Sequence, residues 1–565
     1  MQSFVRPHEH VALRLPSDQT KVVQLVPNTT ISLGKYGNFP ANQIIGRPYY
    51  LTFEILDQPD EKHGHILRIV PATELHAEAL IAEGSGEADG EGDELEPNGD
   101  VDVNMRTNRE TVDDVSSQKL TLAEIEALKK ESSGAGREII AKLLESHSAI
   151  DQKTAFSLAK YTLRKRKKYL RRFTVLPMDV NLLTEWMLNE KDASKVMELR
   201  DELIGLIGCW GNVHHSGDMS LDNAVASKPN GRYLIVDDTG GLVVAAMAER
   251  MGILYPPHDD DADLDSETFQ QPEGHHHKRQ PERPASMSAS SNTLTLLHPY
   301  AQSNVSLLKY FGFDQNSPDP SHPLTTHLKT ISWLQLVDPN ADSIYSSEPE
   351  VLSDEALQAL KPNKRSSYYR KRNRWARVRA VVDETRAGEF DGLIVATLMN
   401  PTSVLKHAVP LLAGGASVVV YSPNVEPLVE LADQYSTARK TAYINIKREL
   451  EEKEQSEARG KGASPESAQT SSAGASSLPD LSAEFPVDPT LLLAPTLQTS
   501  RVRQWQVLPG RTHPLMSSRG GAEGYIFHGN RVLPAQAHVE ARGHASRKKR
   551  KVVTADTSQG VEVQS

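Results

Sequence analysis

Short apolar runs alternating with helical segments constrain this chain most. Tyr233–Val236, Thr293–Leu297, Leu393–Thr397 and Ser417–Tyr421 are β-rich and almost continuously apolar. Helical periodicity marks the residues up to Met251, then Ser303–Phe311, Val404–Leu412 and Val425–Gln434, and, further upstream, Val180–Leu188 and Ser194–Leu206. A strand without polar alternation needs cover on both faces. The pattern therefore predicts an α/β domain with a parallel sheet between two layers of helices.

Other stretches read differently. Val22–Val26, Thr29–Leu33, Tyr49–Ile55 and Ile66–Val70 are β-rich runs separated by Pro, Gly and Asn, which predicts a small β-barrel-like domain over 1–80. Residues 83–118 are acidic and Gly-rich, as expected of a disordered linker. A basic helical connector follows over 119–177. Thr121 and Glu124 have capping-box spacing, Glu138–Ser146 and Lys153–Arg172 read as helices, and Val175–Pro177 closes the segment. The α/β domain spans 178–450, with a Pro-, Asp-, His- and Ser-rich insertion at 256–292 expected to be disordered. Residues 451–484 read as a disordered linker. Residues 485–535 return strands that complete the α/β domain (Val502–Leu508 and Gly524–Phe527), and 536–565 form a basic tail.

Charge is unevenly distributed. Residues 83–102 hold nine acids and 259–267 hold six, neither with a Lys or Arg; setting those fifteen aside turns the formal −11 into +4. One cysteine, Cys209, excludes an internal disulfide and reads as a small buried hydrophobe between Gly208 and Trp210. No apolar run reaches the ~18 residues of a membrane span. The N-terminus lacks a secretory h-region, so an intracellular protein is expected. His275–His277 has no fixed partners in its context, and no metal site is expected.

One candidate for chemistry is Tyr233-Leu-Ile-Val-Asp-Asp-Thr-Gly-Gly241 ahead of a helix. Strand, glycine turn and helix N-terminus make a cofactor cradle. Its glycines are only Gly240 and Gly241, adjacent, beside Asp237 and Asp238. The next strand ends in His298, where an acid would hold a ribose diol. The strand ending at Thr397 carries no base in Ala396-Thr-Leu-Met-Asn-Pro401, and Asn400-Pro401 reads as a turn. This is the scaffold of a cofactor site without the cofactor.

Basic segments point to an anionic partner. Residues 160–172 hold eight bases and no acid: Lys160, Arg164, Lys165, Arg166, Lys167, Lys168, Arg171 and Arg172. On one helix, Lys160, Arg164, Lys168 and Arg172 would share a face. Residues 361–379 hold nine more bases, among them Lys364, Arg365, Arg370, Lys371, Arg372, Arg374 and Arg377, interleaved with Tyr368, Tyr369 and Trp375. Bases contact phosphates while rings stack on unpaired nucleobases, so RNA is the expected ligand. Arg547, Lys548, Lys549, Arg550 and Lys551 read as a nuclear localisation signal.

Further motifs combine into a resemblance. Gly34-Lys-Tyr-Gly-Asn-Phe39, Ile45-Gly-Arg-Pro-Tyr-Tyr50, Lys160-Tyr161 with Lys168-Tyr-Leu-Arg-Arg-Phe-Thr-Val-Leu-Pro177, Asp237–Glu249 and Gln506-Val-Leu-Pro-Gly-Arg-Thr-His-Pro514 together resemble the non-catalytic subunits of eukaryotic tRNA adenine-58 N1-methyltransferases. The resemblance implies an N-terminal β-barrel-like domain and a C-terminal methyltransferase-like Rossmann domain. It also implies a nuclear complex in which such a chain binds tRNA and pairs with a catalytic subunit of the same fold, two pairs forming a heterotetramer. S-adenosylmethionine is then expected in the partner and no cofactor in this chain. Against the catalytic relatives, Asp237–Leu242 is a degraded glycine motif. Thr397 stands where their D-L-P-x-P-W motif has its Asp, while Gly414-Gly415 and Ser422-Pro-Asn-Val-Glu426 are kept. The chain is therefore expected not to be an enzyme. Two alternatives stay open: an active S-adenosylmethionine-dependent RNA methyltransferase with a divergent cofactor loop, and a general RNA-binding scaffold.

Overall fold

The computed structural model describes residues 4–60, 64–75, 124, 136–146, 155–214, 231–256, 293–460, 484–500, 502, 505–508, 511–514 and 523–533. The acidic linker at 83–118, nearly all of the insertion at 256–292 and the basic tail lie outside these residues.

The N-terminal strands are β1 (His10–Arg14), β2 (Thr20–Gln24), β3 (Thr30–Ser32), β4 (Asn38–Pro40), β5 (Thr52–Asp60) and β6 (Gly64–Ile69). Helices α1 (Arg137–Glu145) and α2 (Ala155–Tyr169) follow, then β7 (Arg172–Pro177). The recorded ladders are a five-stranded antiparallel sheet, β2-β1-β7-β5-β6, and a β3–β4 pair. Residues 172–177 thus differ from the expected helical end of the connector. They are the central strand, pairing Val11–Arg14 on one side and Thr52–Glu54 on the other. Their partners lie more than a hundred residues upstream in the sequence, so local pattern could not show the pairing. Alternation divides β7 between two cores. Phe173 stacks on Phe39 at 4.6 Å and on Phe53 at 5.6 Å, whereas Leu176 faces the core of the α/β domain.

The α/β domain opens with α3 (Val180–Asn189) and α4 (Asp201–Trp210). Then come β8 (Arg232–Asp237), α5 (Leu242–Arg250), β9 (Thr293–His298), β10 (Leu328–Ser332), α6 (Pro362–Ala387), β11 (Phe390–Ala396), α7 (Pro401–Ala408) and β12 (Leu412–Ser422). Helices α8 (Glu426–Gln434) and α9 (Thr437–Gly460) precede β13 (Leu492–Thr499), β14 (Trp505–Leu508), β15 (Arg511–Pro514) and β16 (Tyr525–Arg531). Seven strands form one sheet in the order β10-β9-β8-β11-β12-β16-β13. The first five are parallel; β16 is antiparallel to both its neighbours. Successive strand residues feed opposite layers. Tyr233 and Ile235 pack under α3–α5, while Leu234 and Val236 pack under α6–α8. That two-sided burial explains the unbroken apolar runs.

Three further differences stand out. Helix α9 continues to Gly460, into the expected 451–484 linker, because Arg448 and Glu452 pair at 3.6 Å among good helix formers. The β14–β15 ladder stands apart from the main sheet between β13 and β16. Cys209 is exposed, with an Arg250 guanidinium N–H 3.7 Å from Sγ.

Helix α6 is antiparallel to β10. Near its end, Glu384 accepts from Lys329 Nζ at 2.6 and 2.7 Å and pairs with Arg232 at 3.5 Å; both bases lie near strand starts. Val382 packs with Ile331 and Leu336. The 26 residues of α6 span about 39 Å, against about 17 Å for the five residues of β10. Roughly half the helix, 362–376, therefore projects past the carboxyl edge of the sheet.

Arg172 closes a buried network in the N-terminal sheet. Its Nε donates to Glu54 at 3.3 Å and its Nη2 to Glu74 at 2.7 Å; Arg68 Nε donates to Glu54 at 2.9 Å. Arg172→Ala leaves Glu54 buried with one pairing lost, and should destabilise the sheet by about 3 kcal/mol. Arg68→Ala, at a half-exposed position, should cost under about 1 kcal/mol. Hydrogen exchange of β5 and β7 amides in urea measures both. Equal effects would contradict this account.

Candidate functional site

The strand order reverses between β8 and β11, so the crevice beyond their carboxyl ends is the ligand position of such a sheet. Asp237, Asp238, His298, Pro299, Tyr300, Asn304, Leu398 and Met399 line it. The candidate residues Asp237, Asp238, His298 and Thr397 do converge there, and hydrogen bonds already engage them.

Asp237 turns inward. Its carboxylate accepts from Thr239 N at 2.6 Å, Thr239 Oγ1 at 2.5 Å and Val244 N at 3.1 Å, fastening β8 to the first turns of α5. Asp238 reaches across to the next loop, where its Oδ2 accepts from the Thr397 hydroxyl and from Leu398 N at 3.0 Å. Thr397 Oγ1 in turn accepts from Met399 N at 3.2 Å, so this hydroxyl both donates and accepts. Asn400 caps α7 by accepting from Thr402 N at 2.8 Å, in keeping with the turn reading.

Gly240 and Gly241 have φ of 72° and 94°, as their left-handed turn requires. Protein packs onto them. A Cβ on Gly241 would sit 3.0 Å from Val305 Cα, and Gly240 O accepts from Leu307 N at 3.0 Å. His298 Nδ1 donates to Tyr300 O at 2.8 Å, the tautomer that leaves Nε2 as an acceptor, and burial lowers its pKa. S-adenosylmethionine would need open glycine backbone and an acid at the end of β9. The crevice has instead a packed glycine turn and a neutral imidazole, and its residues do not fit that donor.

The basic segments separate by position. On α2, Arg164 and Lys168 are exposed and Arg166 is half-buried, as is Arg171 just beyond the helix. The Lys165 ammonium lies 4.8 Å from the Tyr161 ring centre, and burial, then Lys168, lowers its pKa. The side chains of Lys160 and Lys167 lie outside the described residues. Arg172 corrects the expectation: helix α2 ends at Tyr169, and Arg172 is 5% exposed in β7 within the Glu54–Glu74 network. The four-residue basic face therefore does not extend to it, and this guanidinium is not available to RNA.

On α6, Lys364, Tyr369, Arg370, Lys371, Arg374 and Arg377 face outward. Four other positions turn toward the body. The Tyr368 hydroxyl donates to Glu350 O at 3.1 Å and accepts from Leu352 N at 3.2 Å and Arg372 Nη1 at 3.0 Å. Trp375 Nε1 donates to Tyr345 O at 3.2 Å, and Arg365 Nη2 to Leu360 O at 3.4 Å. Tyr368, Arg372 and Arg365 thus fasten the 345–360 segment rather than face solvent. The candidate localisation residues Arg547–Lys551 lie outside the described residues, and no metal-binding cluster is found among the described ones. Sequence reasoning missed the Asp238–Thr397 bond and the Tyr300–Leu398 rim; these residues are 159 and 98 positions apart.

Burial pushes the Asp237 carboxyl from its ordinary 3.8 up to about 6, against hydrogen bonds that favour the charged form. Between those values the native state binds more protons than the unfolded state, so this residue adds stability as pH falls from about 6 toward about 4. Asp237→Asn removes the titration. The stability advantage of the wild type over this variant should grow on acidification across that window, measured by urea unfolding. A constant difference would contradict the burial argument.

The Gcd10p family model matches residues 4–361. A relative from Aspergillus oryzae, named tRNA (adenine(58)-N(1))-methyltransferase non-catalytic subunit trm6, is 63% identical over 99% of this chain and 97% of its own length. The protein of the same name from Aspergillus fumigatus is 62% identical over the whole of both chains. That from Schizosaccharomyces pombe is 27% identical over 97% of this chain and 96% of its own. Among solved structures, the tRNA (m1A58) methyltransferase TrmI from Aquifex aeolicus aligns over 94% of this chain and all of its own at 8% identity, with a TM-score of 0.35. On the match over 4–361 and the near full-length identity to the Aspergillus proteins, the chain belongs to the Gcd10p family.

Proposed function

We propose that this chain is the non-catalytic subunit of a tRNA adenine-58 N1-methyltransferase, and that it holds tRNA for a catalytic partner. The observation that carries the reading is the projecting half of α6. Arg370, Lys371, Arg374 and Arg377 lie on or beside it, exposed and without an acid partner among the described residues. By contrast Arg379, two residues past Arg377, pairs with Glu348 and Asp383. Unpaired bases three and four residues apart repel one another, and phosphates relieve that repulsion.

Methylating N1 of an adenine in a folded tRNA requires taking the base out of its interactions. In this reading α6 and the exposed bases of α2 grip the backbone, while S-adenosylmethionine is bound by the partner, whose fold is the same. Two such pairs make a heterotetramer, the N-terminal sheet curls into a barrel-like domain, and Arg547–Lys551 direct the complex to the nucleus. The commitment of Asp237, Asp238 and Thr397 to internal bonds supports the assignment of chemistry to the partner.

Two measurements test this. Replacing Arg370, Lys371, Arg374 and Arg377 together by Gln should weaken tRNA binding about tenfold or more and lower the slope of log K against log salt by about 3. Arg379→Gln should change either quantity little. Unchanged affinity and slope in the fourfold variant would remove α6 from the interface. In a reconstitution, methyl transfer should need both chains. Turnover by this chain alone would overturn the reading.

A further inference from the structure

We propose that the crevice at the carboxyl ends of β8, β9 and β11 receives an unpaired nucleobase carrying an exocyclic amine, adenine or cytosine, from the RNA held on α6. The proposal rests on the tRNA-binding reading and adds a second, separate contact.

Three observations carry it. The first is apolar surface left in solvent at the mouth. Tyr300 is 63% exposed and Leu398 80% exposed, and both line the crevice with Pro299 and Met399. An aromatic ring beside aliphatic side chains is a stacking platform for a flat group. The second is the polar set. Asp238 Oδ2 is engaged by Thr397 and Leu398, and Oδ1 has no hydrogen bond among the described residues. Asn304 uses its Oδ1 on Ser306 N at 3.4 Å, which leaves the amide N–H groups to donate. His298 donates through Nδ1, which leaves Nε2 to accept. Two acceptors and a donor suit a base edge that pairs an amine with a ring nitrogen.

The third is charge. Two carboxylates line the crevice, and among the described residues no Lys or Arg does. A phosphate is repelled there, whereas a neutral group presenting N–H is accepted. The phosphates attached to such a base have their own place, because the basic half of α6 projects from the same edge of the sheet. A free nucleotide would lack that second contact, which favours a base already joined to bound RNA.

The test uses the full chain reconstituted with its catalytic partner and tRNA. Irradiation at 254 nm, digestion and mass spectrometry should place an adenine or cytosine adduct on a peptide containing Tyr300, Leu398 or Met399. Tyr300→Ala, at an exposed position, should abolish the adduct and weaken tRNA binding about tenfold while leaving the salt slope unchanged. Asn304→Ala should weaken binding in the same sense. Adducts confined to other peptides, with Tyr300→Ala binding as the wild type does, would overturn the crevice contact and leave the α6 reading standing. Loss of all tRNA binding dependence on α6 would instead sink the underlying reading. Protection of 298–304 and 397–400 from hydrogen exchange by the partner alone, with none added by tRNA, would make the crevice a protein surface and also overturn the proposal.

Discussion

Asp238 joins the two central strands of the main sheet through the Thr397 hydroxyl and the Leu398 amide, and Asp237 joins the same strand to α5. These bonds hold 237–241 and 397–400 in fixed relation at the place where a doubly wound sheet offers its ligand site. Acids there could act on a ligand only if their oxygens were open. Here all of the recorded bonds to Asp237 and one oxygen of Asp238 serve the fold. The glycine turn is likewise closed from outside by Val305 and Leu307. What remains is an acidic floor under an apolar rim.

A second constraint sets where the positive charge stands. Glu384 pins the end of α6 to strand starts through Lys329 and Arg232, so the long helix must project at its other end. Only its last third has an apolar stripe, through Val378, Val381 and Val382. The projecting half is polar nearly all round and is steadied by Tyr368 and Trp375, which bond to the 345–352 segment. Its outward bases then face solvent with mutual repulsion unrelieved. Crevice and basic arm differ in sign and share one edge, which suits a ligand with a charged backbone and neutral bases.

Much of this arrangement was legible beforehand. Runs such as Leu393–Thr397 are apolar at successive positions because both layers bury them, a local property that composition records. The degenerate turn at Gly240-Gly241 and the His298 strand end were equally local, and the structure shows what replaces the missing contacts. Long-range pairing was not legible. The strand at 172–177 follows a helix in sequence and has its partners at 11–14 and 52–54. Arg172 looked like one more base in a basic run; burial against Glu54 and Glu74 is set by that pairing. Likewise, nothing local separates Arg372, which turns to Tyr368, from Arg374, which faces out, until the helix phase is fixed by packing.

Titration calorimetry of the isolated full-length chain with S-adenosylmethionine tests the central claim most directly. Side chains committed to the protein's own bonds predict no saturable heat at millimolar ligand. A stoichiometric isotherm at micromolar concentration, lost in Asp238→Asn, would contradict the account.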